Sequence, residues 1–402
     1  MNNPALSSGG RFVSDALPGI LSPPARQQPD WADDGRLRRV REELAVRPPL
    51  VRPHDVRRLK TLLARVARGE AQVVQAGDCS EDPAECTAGY LARKAGLLDV
   101  LAGVMKMAAC MPVLRVGRIA GQFAKPRSRP IECVNGVELP VYRGHMVNGP
   151  EPDPAVRRPD PERLLSGYDA ARTAMRHLNW LGAERDTQIC PPLWTSHEAL
   201  LLDYELPMVR PDEHGRPVLT STHWPWVGER TRQVEGAHVA LLARIGNPVA
   251  CKVGPTAEPA DLLALCEALD PLREPGRLTF IARMGADAVA DRLPPLVRAV
   301  RNSGHPVIWL CDPMHGNTVT TGDGLKTRLV RSVVCEISGF RRAVHMAGGI
   351  AGGLHLETTP DDVTECVIDA SGLGSVGDKY TTLCDPRLNP AQAVSIVSAW
   401  QG

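Results

Sequence analysis

Short runs of apolar residues recur along the chain from about residue 71, and each leads into a polar or glycine-rich turn and then a longer helix-compatible stretch. Apolar runs of this length, bounded by turns, are typical of strands that are buried on both faces of a parallel sheet. The eight runs are AQVVQAGD (71–78), MPVLRVGRI (111–119), PPLWTSHE (191–198), TSTHWPWVGE (220–229), NPVACKVGP (247–255), RLTFIARMGA (277–286), HPVIWLCDPMHG (305–316) and GGLHLETTP (352–360).

The stretches between these runs predict helices, with a short connection near 198–206. Their ranges are 84–109, 161–180, 229–244, 259–270, 287–303, 325–344 and 360–371. Asp261, and Thr359 followed by Pro360, suit helix N-termini. Eight strand–helix units are the number that closes a (β/α)8 TIM barrel. An open doubly wound sheet is the alternative, but no GxGxxG loop follows the first run.

The first 70 residues differ in pattern from the rest of the chain. Residues 1–30 are rich in proline, glycine and serine, which predicts a flexible tail. Residues 31–70 predict an N-terminal helical extension with helices near 34–46 and 55–68. We expect this extension to pack on the barrel or on a neighbouring subunit. The sequence thus predicts an α/β protein whose catalytic barrel spans residues 71–402.

Composition excludes several classes of protein. The 402 residues carry 47 basic and 46 acidic side chains, so the cationic excess of a nucleic-acid-binding protein is missing. The longest apolar stretches fall well short of the roughly 18 residues that span a membrane. The eleven cysteines are scattered, with no CxxC pair and no secretory signal before them. These features predict a cytoplasmic protein with reduced thiols and neither nucleic acid nor membrane as a partner.

Unusual polar residues follow the predicted strands, where (β/α)8 barrels keep their chemistry. Basic residues form the first group, which is too dense to be left without counter-charge. Because arginine matches phosphate and carboxylate oxygens, this group suits a substrate with several anionic groups. Its members are Arg118, Lys125, Arg127, Arg230, Lys252 and Arg283.

Potential metal ligands form the second group at the same strand ends. They are Cys79, His315, Glu357 and, nearer the C-terminus, Asp385. One thiolate, one imidazole and two carboxylates suit a divalent ion such as manganese, cobalt or iron(II). A closed structural zinc site would more often contain three or four sulfurs.

Long motifs around these residues closely resemble those of type II 3-deoxy-D-arabino-heptulosonate 7-phosphate (DAHP) synthases. The resemblance covers about residues 70–398. Its motifs are QAGDCSE (75–81), RIAGQFAKPRS (118–128), SHEALLLDYE (196–205), THWPWVGERTRQVEGAH (222–238), NPVACKVGP (247–255), IARMGA (281–286), DPMHGNT (312–318), GGLHLETTPDDVTEC (352–366) and CDPRLNP (384–390). No candidate site residue departs from the family's motifs.

The resemblance implies a role for each candidate residue. The implied metal ligands are Cys79, His315, Glu357 and Asp385. The implied pocket for phosphoenolpyruvate consists of Arg118, Glu229, Arg230, Lys252 and Arg283 beside Trp226. The region that reaches the sugar phosphate consists of Lys125, Pro126, Arg127 and Ser128. Lys125, Glu229 and Lys252 are the implied catalytic residues.

The reaction implied by the resemblance opens the shikimate pathway. Phosphoenolpyruvate condenses with D-erythrose 4-phosphate and water, which gives DAHP and phosphate, with a divalent metal as cofactor. Mn²⁺ is the expected metal, with Co²⁺ or Fe²⁺ in its place as the second choice, and the expected assembly is a homodimer or homotetramer. We expect Lys125 and a water held by Glu229 to carry the proton transfers. Like-charge repulsion from the arginines is expected to lower the pKa of Lys125.

Two features favour a subtype. The segment 129–160 is compact and the N-terminal extension is short, as in the trimmed family members of phenazine and other secondary-metabolite clusters. This predicts an enzyme insensitive to aromatic amino acids. The main competing interpretation is an aminoDAHP synthase of an ansamycin-type pathway, which accepts an imine of erythrose 4-phosphate and shares every motif. A non-catalytic homologue that binds a partner such as chorismate mutase is a second one, and a metal-dependent aldolase is a third.

Overall fold

The computed structural model describes residues 17, 19, 22–134, 136–181 and 192–400, and eight of its strands close a parallel barrel. Each strand pairs with the next in the chain, and β8 pairs with β1, so the predicted (β/α)8 barrel is confirmed. Each of the eight apolar runs contains one barrel strand. They are β1 (Gln72–Gly77), β2 (Val113–Arg118), β3 (Trp194–Glu198), β4 (Trp224–Val227), β5 (Val249–Val253), β6 (Leu278–Ala282), β7 (Ile308–Cys311) and β8 (Ile350–Glu357).

The strands are apolar because both of their faces are covered. All residues of β1, β5, β6 and β7 are buried, between the barrel interior and the outer helices. The closure between β8 and β1 depends on a glycine. Gly353 has a φ of +146°, and a Cβ atom there would lie 1.9 Å from the carbonyl oxygen of Val73. A side chain at this position would push the two strands apart.

Helices surround the barrel, and three short hairpins extend from it. The helices are α1 (Asp34–Val46), α2 (Pro53–Ala67), α3 (Ala88–Ala109), α4 (Glu162–His177), α5 (Leu202–Glu205), α6 (Ala237–Arg244), α7 (Pro259–Leu269), α8 (Val289–Asn302), α9 (Val330–Met346) and α10 (Pro390–Ser398). The hairpins pair Ile131–Val134 with Val137–Pro140, Val209–Pro211 with Pro217–Leu219, and Thr318–Thr320 with Lys326–Arg328. In the described residues, no helix is long and apolar enough to cross a membrane.

One predicted helix is wrong. Residues 360–371 form no α-helix, and a 3-10 helix runs instead from Ala370 to Ser375. The backbone of Val367 is used elsewhere, since its N–H donates to Arg328 and its carbonyl accepts from Val330. A residue bonded on both sides to a neighbouring segment cannot also join an intrahelical ladder. The chain therefore crosses the carboxyl end of the barrel before α10 begins.

The N-terminal region contacts the barrel near both the amino ends and the carboxyl ends of its strands. Helix α2 buries Val56, Leu59, Leu63 and Val66 on one face, and Val66 lies against Gly352 of β8. Residues 22–30, part of the predicted flexible tail, are instead bonded to the barrel: Ala237 N donates to Pro24 O at 3.1 Å. The tail's remaining residues lie outside the described residues, apart from 17 and 19.

Candidate active site

A cavity of about 480 Å³ opens where the barrel strands end. The strands deliver the side chains directly, because Arg118 ends β2, Lys252 lies in β5 and Glu357 ends β8. All thirteen predicted site residues line this cavity: Cys79, Arg118, Lys125, Arg127, Ser128, Trp226, Glu229, Arg230, Lys252, Arg283, His315, Glu357 and Asp385. The fold therefore brings together residues that are up to 306 positions apart, as for Cys79 and Asp385.

The four predicted metal ligands meet on one side of the cavity. Ligand atoms of Cys79, Glu357 and Asp385 all lie within 4.8 Å of one another. His315 Nε2 is 3.3 Å from Glu357 Oε1. Asp385 belongs to the long loop after β8, and that loop returns because Leu388 N donates to Glu357 O at 3.0 Å. One sulfur, one imidazole nitrogen and two carboxylates suit a divalent transition-metal ion.

Positive side chains surround this donor cluster. The Lys125 ammonium donates to both Cys79 Sγ and Asp385 Oδ2. Arg328 Nη2 lies 2.8 Å from Glu357 Oε2, and Arg118 Nη2 lies 3.1 Å from Glu357 Oε1. Buried acidic groups of this density require a cation among them. Lys125 supplies that charge in this structure, so the cluster fits a divalent cation both by its donors and by its need for positive charge.

These contacts set the charge states of the site. Burial alone would lower the pKa of Lys125, but Asp385, Cys79 and Glu357 together raise it. The prediction of a lowered pKa for Lys125 is therefore wrong, because its neighbours in the structure are acids rather than arginines. The lysine with a lowered pKa is Lys252, through burial and the nearby Arg118 guanidinium, although the Asp312 carboxylate opposes the shift.

Asp312 connects the metal cluster to the cationic side of the cavity, and we did not assign it from the sequence. Its buried carboxylate lies 2.8 Å from His315 Nδ1 and 2.9 Å from Lys252 Nζ. A carboxylate on one ring nitrogen of a histidine fixes the tautomer and the orientation in which the other nitrogen can bind a metal. Its position at the end of β7 was the available signal.

A second buried network holds the loop that carries Asp385. Arg387 donates to Glu365 Oε1 at 2.9 Å and to Asp78 Oδ1 at 2.8 Å. Asp78 precedes Cys79, so Arg387 joins the loop to the end of β1. These contacts explain how a residue near the C-terminus reaches a cysteine at the first strand. Their partners come from distant segments, so the sequence did not indicate them.

The cavity lining beside the donor cluster is cationic. Arg118 lies over the ring of Trp226, 5.5 Å from its centroid, and also donates to His355 Nε2 at 2.9 Å. Arg283 donates to the carbonyl of His315 at 3.1 Å. His355 is fully buried and its other ring nitrogen lies 2.7 Å from Gln75 Oε1, so it supports Arg118 from beneath the cavity.

Arg127, Ser128 and Arg230 form a more open part of the same cationic lining. Arg230 donates to Ser128 Oγ at 2.5 Å, and Arg127 donates to Glu132 Oε2 at 3.2 Å. The loop after β2 and the loop after β4 therefore face each other across the entrance. An anion between them would meet guanidinium groups from both loops.

Two glutamates of the cavity differ in whether their carboxylate oxygens are already hydrogen-bonded. Glu229 is engaged at both oxygens, by Gly254 N at 2.6 Å and by Arg232 Nε at 3.0 Å. Glu198, at the end of β3, also lines the cavity, and its buried Oε1 has no hydrogen-bond partner among the described residues. Burial raises its pKa, although the Lys252 ammonium opposes the shift. We did not single out Glu198 from the sequence, although it ends a predicted strand.

A glycine makes room for Glu198. A Cβ atom on Gly228 would lie 2.3 Å from Glu198 Oε1. The backbone N–H of Glu198 is fixed by Gln122 Oε1 at 3.0 Å, and Gln122 also lines the cavity. Gly228 thus leaves room for the Glu198 carboxylate, and the bond to Gln122 fixes the backbone of Glu198 at the cavity.

The fold and the cavity together define a class of protein. A closed parallel barrel with acidic donors and clustered cations at its carboxyl end is a (β/α)8-barrel enzyme built for anionic ligands. The chain belongs to the class-II DAHP synthetase family, whose sequence profile matches residues 20–188 and 181–399. The predicted family is thereby confirmed.

Curated relatives agree with this assignment along nearly their whole length. A probable phospho-2-dehydro-3-deoxyheptonate aldolase of Pseudomonas fluorescens is 57% identical over 390 residues, which cover 97% of this chain and 98% of the relative. The phospho-2-dehydro-3-deoxyheptonate aldolase of Streptomyces coelicolor is 40% identical, with 93% of this chain and 94% of the relative covered. One from Mycolicibacterium smegmatis is 38% identical, with 94% and 92% covered.

Proposed function

We propose that this protein condenses phosphoenolpyruvate with D-erythrose 4-phosphate and water to form DAHP and inorganic phosphate. One observation carries the proposal: a single cavity holds the Cys79, His315, Glu357 and Asp385 donors beside two groups of cations. A substrate pair with two phosphates and one carboxylate matches those two groups. Membership of the class-II family supports the same reaction.

The two cationic groups assign a place to each substrate. Arg118, Lys252 and Arg283 surround the deep part of the cavity near Trp226, where the carboxylate and phosphate of phosphoenolpyruvate would bind. Arg127 and Ser128 lie at the more open part and suit the phosphate of the sugar, and Arg230, which the resemblance assigns to phosphoenolpyruvate, donates to Ser128 Oγ between the two groups. Binding both phosphates aligns the two reacting carbons, which supplies much of the acceleration in a two-substrate reaction.

A divalent ion, which we propose to be Mn²⁺, would be held by Cys79, His315, Glu357 and Asp385. When bound, such an ion polarises the aldehyde oxygen of the sugar as a Lewis acid. Asp312 keeps His315 oriented for this role through its contact with Nδ1. Arg328 and Arg118 balance the charge of Glu357, one at each carboxylate oxygen.

The protein's own groups serve the proton transfers. Carbon 3 of phosphoenolpyruvate forms a bond to the aldehyde carbon, and the new alkoxide takes a proton. Lys125 suits this donation because its ammonium lies in the cavity beside the Cys79 and Asp385 donors. Water then adds to carbon 2, and phosphate departs from the resulting phosphohemiketal to leave a ketone.

We assign the base for that water to Glu198 rather than to Glu229. Glu198 lines the cavity and its Oε1 has no hydrogen-bond partner among the described residues, whereas both oxygens of Glu229 are engaged. A carboxylate whose pKa is raised by burial is a better proton acceptor near neutral pH than an exposed one. Glu229 then acts by fixing the loops of Gly254 and Arg232 beside Lys252.

Metal-free protein is expected to release phosphate from phosphoenolpyruvate only when erythrose 4-phosphate and Mn²⁺ are both added. The reason is that the donor cluster and both cationic groups lie in one cavity. The measurement follows phosphate release together with formation of the seven-carbon product. Phosphate release without the sugar, or full activity without metal, would contradict the proposal. Inactivity with the aldehyde but turnover with its imine would favour an aminoDAHP synthase.

We also propose that the enzyme serves secondary metabolism and is insensitive to aromatic amino acids. The segment between the Lys125 loop and α4 supports this, since it contains a single short hairpin, Ile131–Val134 with Val137–Pro140, among its described residues. Titration with tryptophan, tyrosine and phenylalanine, singly and together, is expected to leave the initial rate unchanged. A cooperative fall in rate with any of them would contradict this proposal.

A further inference from the structure

Residues 24–31, which we call the N-terminal strap, cross the carboxyl end of the barrel beside the cavity. Side chains and carbonyls of the strap are bonded to two helices. Pro24 O accepts from Ala237 N at 3.1 Å, at the start of α6. Gln28 Oε1 accepts from Leu202 N at 3.0 Å, and Trp31 Nε1 donates to Asp203 Oδ2 at 2.9 Å, both at α5. The strap is therefore anchored on either side of its centre.

The centre of the strap is hydrogen-bonded to the loop that carries Lys125 and Arg127. Gln27 Oε1 accepts from the backbone N–H of Arg127 at 2.9 Å. The carbonyls of Gln27 and Gln28 accept from the guanidinium of Arg143. The carbonyl of Arg143 in turn accepts from the backbone N–H of Lys125 at 2.9 Å. The strap thus fixes both amides of this loop, one directly and the other through Arg143.

We propose that Gln27 is a positioning residue of the active site, which holds the loop of Lys125 and Arg127 in the position needed to bind the sugar phosphate. The proposal rests on the proposed function, because it assigns this loop to erythrose 4-phosphate. Gln27 lines no part of the cavity and acts through the Arg127 backbone. Misplacement of a substrate-positioning group by about 1 Å lowers the rate by about a hundredfold in other enzymes.

The backbone of Gln27 makes a clean substitution possible. Its φ is +62°, a left-handed conformation that glycine adopts without the cost paid by other residues. Gln27→Gly therefore removes the acceptor while the strap keeps its path. Gln27→Glu retains an oxygen acceptor at the same distance from the backbone. Arg26→Ala is the matched control, because the Arg26 side chain is exposed and only its carbonyl takes part in a bond, from Gln28 Nε2.

Two measurements test the proposal. The first is hydrogen–deuterium exchange of a peptide that contains residues 120–130. The second is steady-state kinetics with each substrate varied. In Gln27→Gly we expect faster exchange of the loop amides. We also expect kcat/KM for erythrose 4-phosphate to fall by about ten- to a hundredfold, with the KM for phosphoenolpyruvate little changed. Gln27→Glu and Arg26→Ala should both resemble the native enzyme.

Some outcomes test the positioning role of the strap, and others test the proposed reaction. Unchanged exchange in Gln27→Gly, or faster exchange with unaltered kinetics for the sugar phosphate, overturns the positioning role. An equal loss for both substrates also overturns it, since that result indicates a general disturbance of the cavity. If the native protein lacks DAHP synthase activity while Gln27→Gly still exposes the loop, the proposed function fails and the strap's grip on the loop stands.

Discussion

Replacement of Cys79 by serine is expected to weaken Mn²⁺ binding by more than about a hundredfold and to abolish turnover at ordinary metal concentrations. Removal of groups that merely orient a metal ligand costs about 10- to 100-fold in affinity, so loss of a ligand should cost more. A serine hydroxyl stays protonated and neutral, whereas a cysteine binds a metal ion as the thiolate, which is a far stronger ligand. Calorimetric titration of metal-free protein with Mn²⁺ measures the affinity directly.

Cys335→Ser is the matched control for this substitution. Cys335 is exposed on α9, away from the residues that line the cavity, so the same chemical change there should leave metal affinity and turnover as they are. Thermal unfolding of both variants separates a lost ligand from a lost fold. If Cys79→Ser bound Mn²⁺ as tightly as the native protein, the thiol would not be a ligand.

The barrel could be predicted from the sequence because its strands are buried on both faces. A run such as AQVVQAGD must be apolar throughout, and a parallel strand must be followed by a crossover, so strand number and order follow from the pattern. The strand ends then locate the chemistry. This explains why residues as separate as Arg118, Lys252 and Glu357 were expected to meet, and why they do.

Pairings between distant side chains could not be predicted in the same way. Asp312 and Glu198 stand at predicted strand ends, but their roles, like that of Arg387, depend on surroundings that only the folded chain supplies. The strap is a further example. Proline and polar residues around Gln27 indicate a flexible tail, yet its amide oxygen and carbonyls meet donors of the barrel. The composition of a segment indicates its own conformational preferences, but not the groups of the folded protein that it contacts.

The error over the pKa of Lys125 has the same origin. The arginines expected at the same site indicated repulsion between like charges. In the structure the ammonium points instead toward Cys79 and Asp385, and the acids outweigh the burial. Direction of a side chain, rather than its distance along the chain, determines its electrostatic surroundings.

Lys125→Ala is accordingly expected to lower turnover without weakening metal binding. Loss of the proton donor should lower kcat by about a hundred- to ten-thousandfold. Metal affinity should hold or rise, because the ammonium no longer competes with Mn²⁺ for Cys79 and Asp385 or repels it. A lysine that served only to stabilise the fold would give no such divergence, so the two measurements together identify its chemical role.

Rescue by a small amine sharpens this test, since methylammonium fits the space left by the lysine side chain and carries a similar acidic proton. Added methylammonium should restore part of kcat in proportion to its concentration in Lys125→Ala, and should leave Lys379→Ala, an exposed-lysine control, unaffected. If the variant kept most of its kcat, or lost Mn²⁺ together with its activity, Lys125 would stabilise the donor cluster and would not be the proton donor.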